Sequence, residues 1–587
     1  MIFEKNILKL RQSDPELADK ISNAGQSANI KIAASKSGPP TLRVKNIYIH
    51  SLYDPVKEAA DWVKSYEQNM SRVDNIVVFG FGLGYHLIEL CSRTDKDVTV
   101  FEPDLDILHA ALHKTDFEQA LSKMKIITDD SVPSFEGDTA ILTLQPALTL
   151  DPEYYNQVLS KLKARDILAN GLRIMVVGPV FGGSLEVARY CSSSLIHMGH
   201  TVELVDNSRF DDTLFYIKEL TKNKNHYSAL LDQFTQLLSE IVIARCEEFK
   251  PDIVIALAQA PLTPESINKI RQYGVKTAYW FVEDFRFMEY WKQIAGHFDY
   301  FFTIQKDDFF NELQQSGLNN YHYLPMAAFP NVHKTLKMNE EEKKYYGSDV
   351  SFVGAGYHNR RHFLSGLIDY DFKIWGTDWD MHSKLAGFIQ RSGSRVDTDE
   401  IVRIYNASRI NINLHSSSYH KGINPFGDFV NPRTFEIMSC GGFQLVDRRS
   451  GLDGLFEEGE EIVIFNDLND LRQKIDYYLK NPEEAYRISE KGRNRVNTDH
   501  TYEKRMEEML EVIVENGYEP AIWSDDRETV EELVHEAGEA TEVGRYLSHF
   551  AAQERINLAD IIDGISKGDG DITKPEALFL MMKEIAG

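Results

Sequence analysis

Three times along the chain a largely apolar stretch runs into glycines and then into a segment of helical spacing. The three are "NIVVFGFGLGYHLIELC" at 75–91, "GLRIMVVGPVFGGSLEVARYC" at 171–191 and "SDVSFVGAGYHNRRHFLSGL" at 348–367. A strand without polar alternation must be covered on both faces, and glycines at its carboxyl end let backbone or ligand approach closely. Each stretch therefore predicts the start of a doubly wound α/β unit. The second continues through "HTVELVD" (200–206), "DIVIALA" (252–258), "KTAYWFV" (276–282) and "YFFTI" (300–304), with helical sequence such as 227–248 between. The third continues through "FKIWG" (372–376), "INLHSS" (412–417), "GFQLVD" (442–447) and "EIVIF" (461–465). Strands alternating with helices predict parallel sheets, and two in tandem predict a bilobed α/β protein with a cleft between the lobes.

At 587 residues the chain exceeds one ordinary core, and domains of ~100–200 residues predict three or four. The divisions drawn from composition are a helical segment 1–45, with "SKSGPP" (35–40) as a break, a Rossmann-like unit 46–168, a first lobe 169–342, a second lobe 343–518 and a helical tail 519–587. Ninety acidic against 64 basic residues give a net charge of −26. That balance argues against a nucleic-acid or anionic-membrane partner, so any anion site must be locally basic. Cys91, Cys191, Cys246 and Cys440 are scattered, without a C-x-x-C pair. They predict reduced core thiols and no structural zinc. The start has no apolar leader core and no run reaches the ~18 apolar residues of a membrane span, so a cytoplasmic protein is expected.

"NPRTFEIMSCGGFQLVD" (431–447) reads as a helix that ends on Gly441-Gly442 and feeds a strand. Asn431 and Pro432 suit a helix entry, and the positive end of its dipole together with Arg433 suits a diphosphate. Glu436, one turn further on, is a carboxylate placed to accept hydrogen bonds from ribose hydroxyls. The plain alternative is a solvated glutamate with Arg433 as its surface partner. In "YWFVEDFRF", Glu283 and Asp284 lie just past a strand, and Asp284 is the first candidate for a base, with a helix-cap role as the alternative. At the amino-terminal repeat, Gly80, Gly82 and Gly84 form G-x-G-x-G, and "DVTVFEPD" brings Glu102 18 residues after Gly84. This arrangement suits S-adenosylmethionine or a dinucleotide. His86, His358 and His415 adjoin glycines or strand ends and read as structural histidines; "GDGD" (568–571) reads as a turn.

"FVGAGYHNRR", "INLHSSS", "NPRTFEIMSCGGFQLVD", "EEGEEIVIFNDLNDLRQKIDYYLKNPEEAYRISEKGRNRV" and "HTYEKRMEEML" resemble the GT-B glycosyltransferases, more narrowly the CgeB-like proteins with a glycosyl transferases group 1 half. The resemblance implies a GT-B fold over 171–515 and a glycosyltransferase using a nucleotide sugar, a UDP-sugar first, without a required metal. It implies Glu436 on the donor ribose, Arg433 and Asp428 beside it, and Arg360 and Arg361, after Gly354 and Gly356, on the diphosphate. Asp428 and Glu436 stand as D-x7-E where the family has E-x7-E. "GPVFGGSLEVAR" resembles the family's acceptor loop, implying Gly182, Gly183 and Ser184 there. "HSLYDPVKEAADWV" with the G-x-G-x-G segment resembles the Rossmann-like module of motility accessory factors and hydroxymethylpterin diphosphokinase-like proteins. The two resemblances together imply a protein acceptor, flagellin first. Two other readings stand beside this one: a methyltransferase run by the amino-terminal unit, and a binding protein whose nucleotide sites have decayed.

Overall fold

The computed structural model describes residues 2–586 except 25–28, 134, 136, 517, 522, 524–527, 553, 557 and 568–571. The "GDGD" stretch thus lies outside the described residues.

Each of the three repeats begins a parallel sheet. In the amino-terminal unit, β4 (Asn75–Phe79), β5 (Val98–Phe101), β6 (Met124–Ile127) and β7 (Thr139–Thr143) pair in the order β6-β5-β4-β7. Ahead of them, β1 (Ile30–Ala34), β2 (Pro40–Val44) and β3 (Ile47–Tyr48) make a small antiparallel sheet. This corrects the reading of 1–45 as helical. Helices fill only Ile2–Ser13 and Pro15–Asn23, and "SKSGPP" is the turn joining β1 to β2. Gly38, at φ 110°, supplies the left-handed residue that turn needs.

In the first lobe, β8 (Arg173–Val177), β9 (Thr201–Val205), β10 (Ile253–Leu257), β11 (Lys276–Phe281), β12 (Tyr300–Thr303) and β13 (Tyr321–Tyr323) run in the order β13-β12-β11-β10-β8-β9. In the second, β14 (Val350–Val353), β15 (Phe372–Trp375), β16 (Ile410–Asn413), β17 (Gln444–Asp447) and β18 (Val463–Phe465) run in the order β15-β14-β16-β17-β18. All pairings within these sheets are parallel. The order reverses between β8 and β10 and between β14 and β16, and such switch points open crevices at the strand carboxyl ends. Both lobes are therefore doubly wound, the GT-B arrangement.

Helices α1 (Pro152–Ala169), α2 (Ser184–His197), α3 (His358–Phe363), α4 (Pro432–Ser439) and α5 (Tyr502–Glu515) either border the crevices or tie the units together. After the second lobe the chain returns, and α5 packs on the first lobe through buried Tyr502, Met506, Met509, Leu510 and Ile513. Arg505, 2% exposed, fixes the return by donating to the Pro325 carbonyl (2.8 Å) and pairing with Glu508 (3.0 Å). Helix α1 belongs to two cores. Tyr155, Val158 and Leu162 pack in the amino-terminal unit, while Ala164 joins the cluster built on α5 and the first lobe. A division near 168 therefore cuts beside a helix that both sides need. Among the described residues no helix is long and apolar enough to cross a membrane.

Candidate active site

The switch point of the second lobe carries a cluster of guanidinium groups. Helix α4 begins there because Asn431 caps it, its side chain accepting from the Thr434 N–H at 3.1 Å, and Pro432 occupies the first helical position. Arg433 follows. A Cβ at Gly354, just past β14, would lie 3.1 Å from Arg433 Nη2 and 3.2 Å from Arg360 Nη1. Both cations therefore border the same glycine.

Arg360, 4% exposed, donates to the Leu414 carbonyl and the Ala355 carbonyl, each at 3.0 Å. Its pKa is pulled down to about 9 by burial and by Arg433, so it remains a cation at neutral pH. Among the described residues no carboxylate lies within ion-pair distance of Arg360 or Arg433. Arg361 points elsewhere: it donates to the Asp378 carbonyl at 2.6 Å and is exposed. Gly356 is a packing glycine, where a Cβ would meet the Asp378 carbonyl and Trp379.

Glu436 is half-buried on α4. Its charge acts across the cleft on Tyr190 of α2 and within the second lobe on Tyr405, and it also reaches His333 and Tyr502. The Tyr190 hydroxyl is raised above its ordinary range mainly by burial and is also influenced by Glu436 and Thr398 of the other lobe. Thus the cleft wall opposite Glu436 is α2, the helix that follows the Gly182-Gly183 loop. Gly182 has φ 107°, and nothing lies within 4 Å of a Cβ built at Gly182 or Gly183. That loop and the uncapped start of α2 at Ser184 are open.

Residues 360–511 match the family model described as glycosyl transferase-like, and residues 27–129 match the glycosyltransferase Maf N-terminal domain. The chain carries a glycosyltransferase domain. Spore protein CgeB of Bacillus subtilis is 24% identical over 260 residues, 42% of this chain and 78% of that protein. Among solved structures, a glycosyltransferase from Rickettsia africae aligns at TM-score 0.41 and 17% identity, covering 58% of this chain and 98% of that one. Anabaena HepE in complex with UDP-glucose aligns at 0.40 and 12%, covering 58% and 99%. Sucrose-phosphate synthase from Thermosynechococcus elongatus aligns at 0.40 and 12%, covering 58% and 98%.

Within the glycosyltransferase domain, Asp428 and Glu436 diverge. Asp428 faces the first lobe, where it pairs with Arg286 (2.9 Å) and accepts from Gln305 Nε2 (2.9 Å). Gln305, 1% exposed, also approaches Asp284 at 3.5 Å. Burial raises the Asp284 carboxyl above its ordinary range, against the Arg286 backbone N–H, which donates to it at 3.0 Å. Glu283 is already engaged, accepting from Tyr290 Oη at 2.7 Å and from Gln259. Of the two acids, Asp284 is the one beside the interlobe contact.

Three further residues escaped the sequence reading in their role. His415 Nδ1 lies 2.7 Å from Asp447 Oδ1, and Asp447 Oδ2 takes Arg449 Nη2 at 2.6 Å and Nε at 3.0 Å. Burial pushes the Asp447 carboxyl up, but His415 and Arg449 outweigh it and hold it at about 2. Their signal was available: each follows or ends a buried strand, where a polar residue faces a switch-point crevice. Tyr190, Thr398 and Arg286 had no such signal, because only the packing of the two lobes brings them to the cleft.

The amino-terminal glycines behave differently. A Cβ at Gly80 would collide with Ala147, one at Gly82 with His50 and Ile49, and one at Gly84 with Phe117. His50 Nε2 accepts from the Leu83 N–H at 2.7 Å. These three glycines are thus packed closely by the chain itself. Glu102 accepts from the Phe81 and Asp104 N–H groups at 2.9 and 3.2 Å, and burial raises it to about 7. The cavity beside it holds about 120 Å³, against the ~300 Å³ or more of a ligand pocket. His86 bonds the Gly80 carbonyl at 3.1 Å, and His358 stands on the surface over His362. The four cysteines are free and buried, and burial pushes the Cys91 thiol to about 11 and Cys246 to about 12. Among the described residues no group of three or more His, Cys, Asp or Glu is set to hold a metal.

Proposed function

We propose that this glycosyltransferase moves a sugar from a nucleotide-sugar donor, a UDP-sugar first, to an acceptor hydroxyl on a protein, flagellin first. One observation carries the reading: Arg360 and Arg433, without a carboxylate at ion-pair distance among the described residues, converge on Gly354 at the switch point of an otherwise strongly acidic chain. Two unpaired cations beside a helix amino-terminus fit a leaving diphosphate and supply positive charge where negative charge develops. In this scheme Glu436 accepts hydrogen bonds from the donor ribose, and the acceptor enters over Gly182, Gly183 and Ser184. The acceptor oxygen forms its bond to the anomeric carbon as the bond to the diphosphate oxygen breaks, and Asp284 takes the hydroxyl proton. The Maf N-terminal match supports a protein acceptor. Mass spectrometry of flagellin co-expressed with the wild-type chain and with Arg433→Met tests it. A hexose-sized mass gain with wild type alone is expected, and an unmodified flagellin in both counts against that acceptor. Thermal shift with UDP, GDP, ADP and dTDP tests the donor class, and no shift with any of them would refute the donor site.

A further inference from the structure

The second lobe buries a polar chain that the transfer scheme leaves without a task. Asn431, the cap of α4, donates its backbone N–H to His415 Nε2 at 3.0 Å. That nitrogen is therefore the acceptor, and Nδ1 carries the hydrogen that reaches Asp447. Asp447 Oδ1 also takes the His415 backbone N–H at 2.8 Å. Beyond Asp447, the Arg449 guanidinium lies so close under Gly427 that a Cβ there would collide with it, and Ser450 N–H bonds the Gly427 carbonyl at 3.1 Å. Gly427 precedes Asp428, the residue that meets Arg286 of the first lobe. His415, Asp447 and Arg449 are 1%, 0% and 3% exposed.

We infer that His415 and Asp447 are positioning residues of the donor site, holding the start of α4, and with it Arg433 and Glu436, in register with Arg360 and with the 427–428 loop. The inference rests on the donor reading above. Stability alone does not call for these groups, since a buried ion pair is at best an even exchange against well-packed hydrocarbon. What they do that hydrocarbon would not is fix a backbone N–H and a loop at defined positions. With Arg449 paired to Asp447 and His415 held neutral by burial, Arg360 and Arg433 stand at the crevice without a carboxylate at ion-pair distance among the described residues.

The test compares His415→Asn with His415→Gln. Asn ends where Nδ1 lies and can reach Asp447 but not the start of α4, whereas Gln ends where Nε2 lies and can still accept from the Asn431 N–H. UDP affinity is measured by calorimetry, and amide exchange over 431–438 is read alongside melting temperature. The expected result is about tenfold weaker UDP binding and faster exchange over 431–438 in His415→Asn, with His415→Gln within about threefold of wild type. Equal losses in both variants, or wild-type affinity in His415→Asn, overturn the inference. Should His415→Asn fail to fold, His415→Gln decides alone, and a tenfold loss there overturns it. If the wild-type chain binds none of the four nucleoside diphosphates, the donor reading itself falls and takes this inference with it, an outcome separate from the other two.

Discussion

Replacing Glu436 by alanine isolates the part of the site that reads the donor ribose. Among the described residues its carboxylate has no ion pair or side-chain hydrogen bond, and its charge is felt by Tyr190, Tyr405, Tyr502, His333 and Cys440. Its removal thus breaks nothing inside the fold, and alanine is a better helix former by a few tenths of a kcal/mol. The melting temperature should hold within about 2 °C. A hydrogen bond to a charged group contributes ~1.5–3 kcal/mol, and the half-buried position argues for that range in total rather than per hydroxyl. UDP binding should therefore weaken roughly ten- to a hundredfold. Calorimetry with UDP and with 2′,3′-dideoxy-UDP, against both proteins, makes a double-perturbation cycle. If Glu436 holds the ribose, the dideoxy compound binds wild type poorly and the substitution adds little further loss. Losses that simply add would show that the carboxylate and the ribose do not meet.

Arg360→Met should weaken UDP about tenfold or more while changing uridine binding little, read by calorimetry, because the guanidinium adjoins Gly354 and has no carboxylate at ion-pair distance among the described residues. A chain beginning at residue 150 should fold, whereas one beginning at 169 should melt lower and bind a hydrophobic dye, because it lacks α1 over Tyr502–Val514; circular dichroism checks both. Burial lowers His50 to about 3 and His86 and His415 to about 4. A base with a depressed folded pKa must gain its proton on unfolding, so stability is full above ~6.5 and is lost as pH falls toward ~4. His500 behaves alike, at about 4, whereas Glu102, raised to about 7, opposes them by one proton, leaving a net uptake of about three protons between pH ~4.5 and ~6.5 from these five groups. The pH dependence of the melting temperature measures it, and His415→Gln should reduce the uptake by about one.

The three largely apolar strands ending in glycine determined the three parallel sheets, because a strand without polar alternation must be covered on both faces. The same local pattern placed α4, since Asn431-Pro432 and Gly441-Gly442 specify a helix entry and exit through backbone chemistry alone. Which glycines stay open was decided only by tertiary packing. Gly80, Gly82 and Gly84 are packed by Ala147, His50 and Phe117, which arrive from elsewhere in the chain, while Gly182 and Gly183 keep their space. The 1–45 segment was misread because β1 and β2 are short hairpin strands whose pairing, not their composition, makes them strands. Asp428 and Glu436 are eight positions apart in sequence, but the Arg286 contact draws one to the first lobe while the other stays half-buried on α4, within electrostatic reach of Tyr190. Sequence determines what each residue can do chemically, whereas partners more than a hundred positions away, such as Arg286 for Asp428, are chosen when the lobes pack.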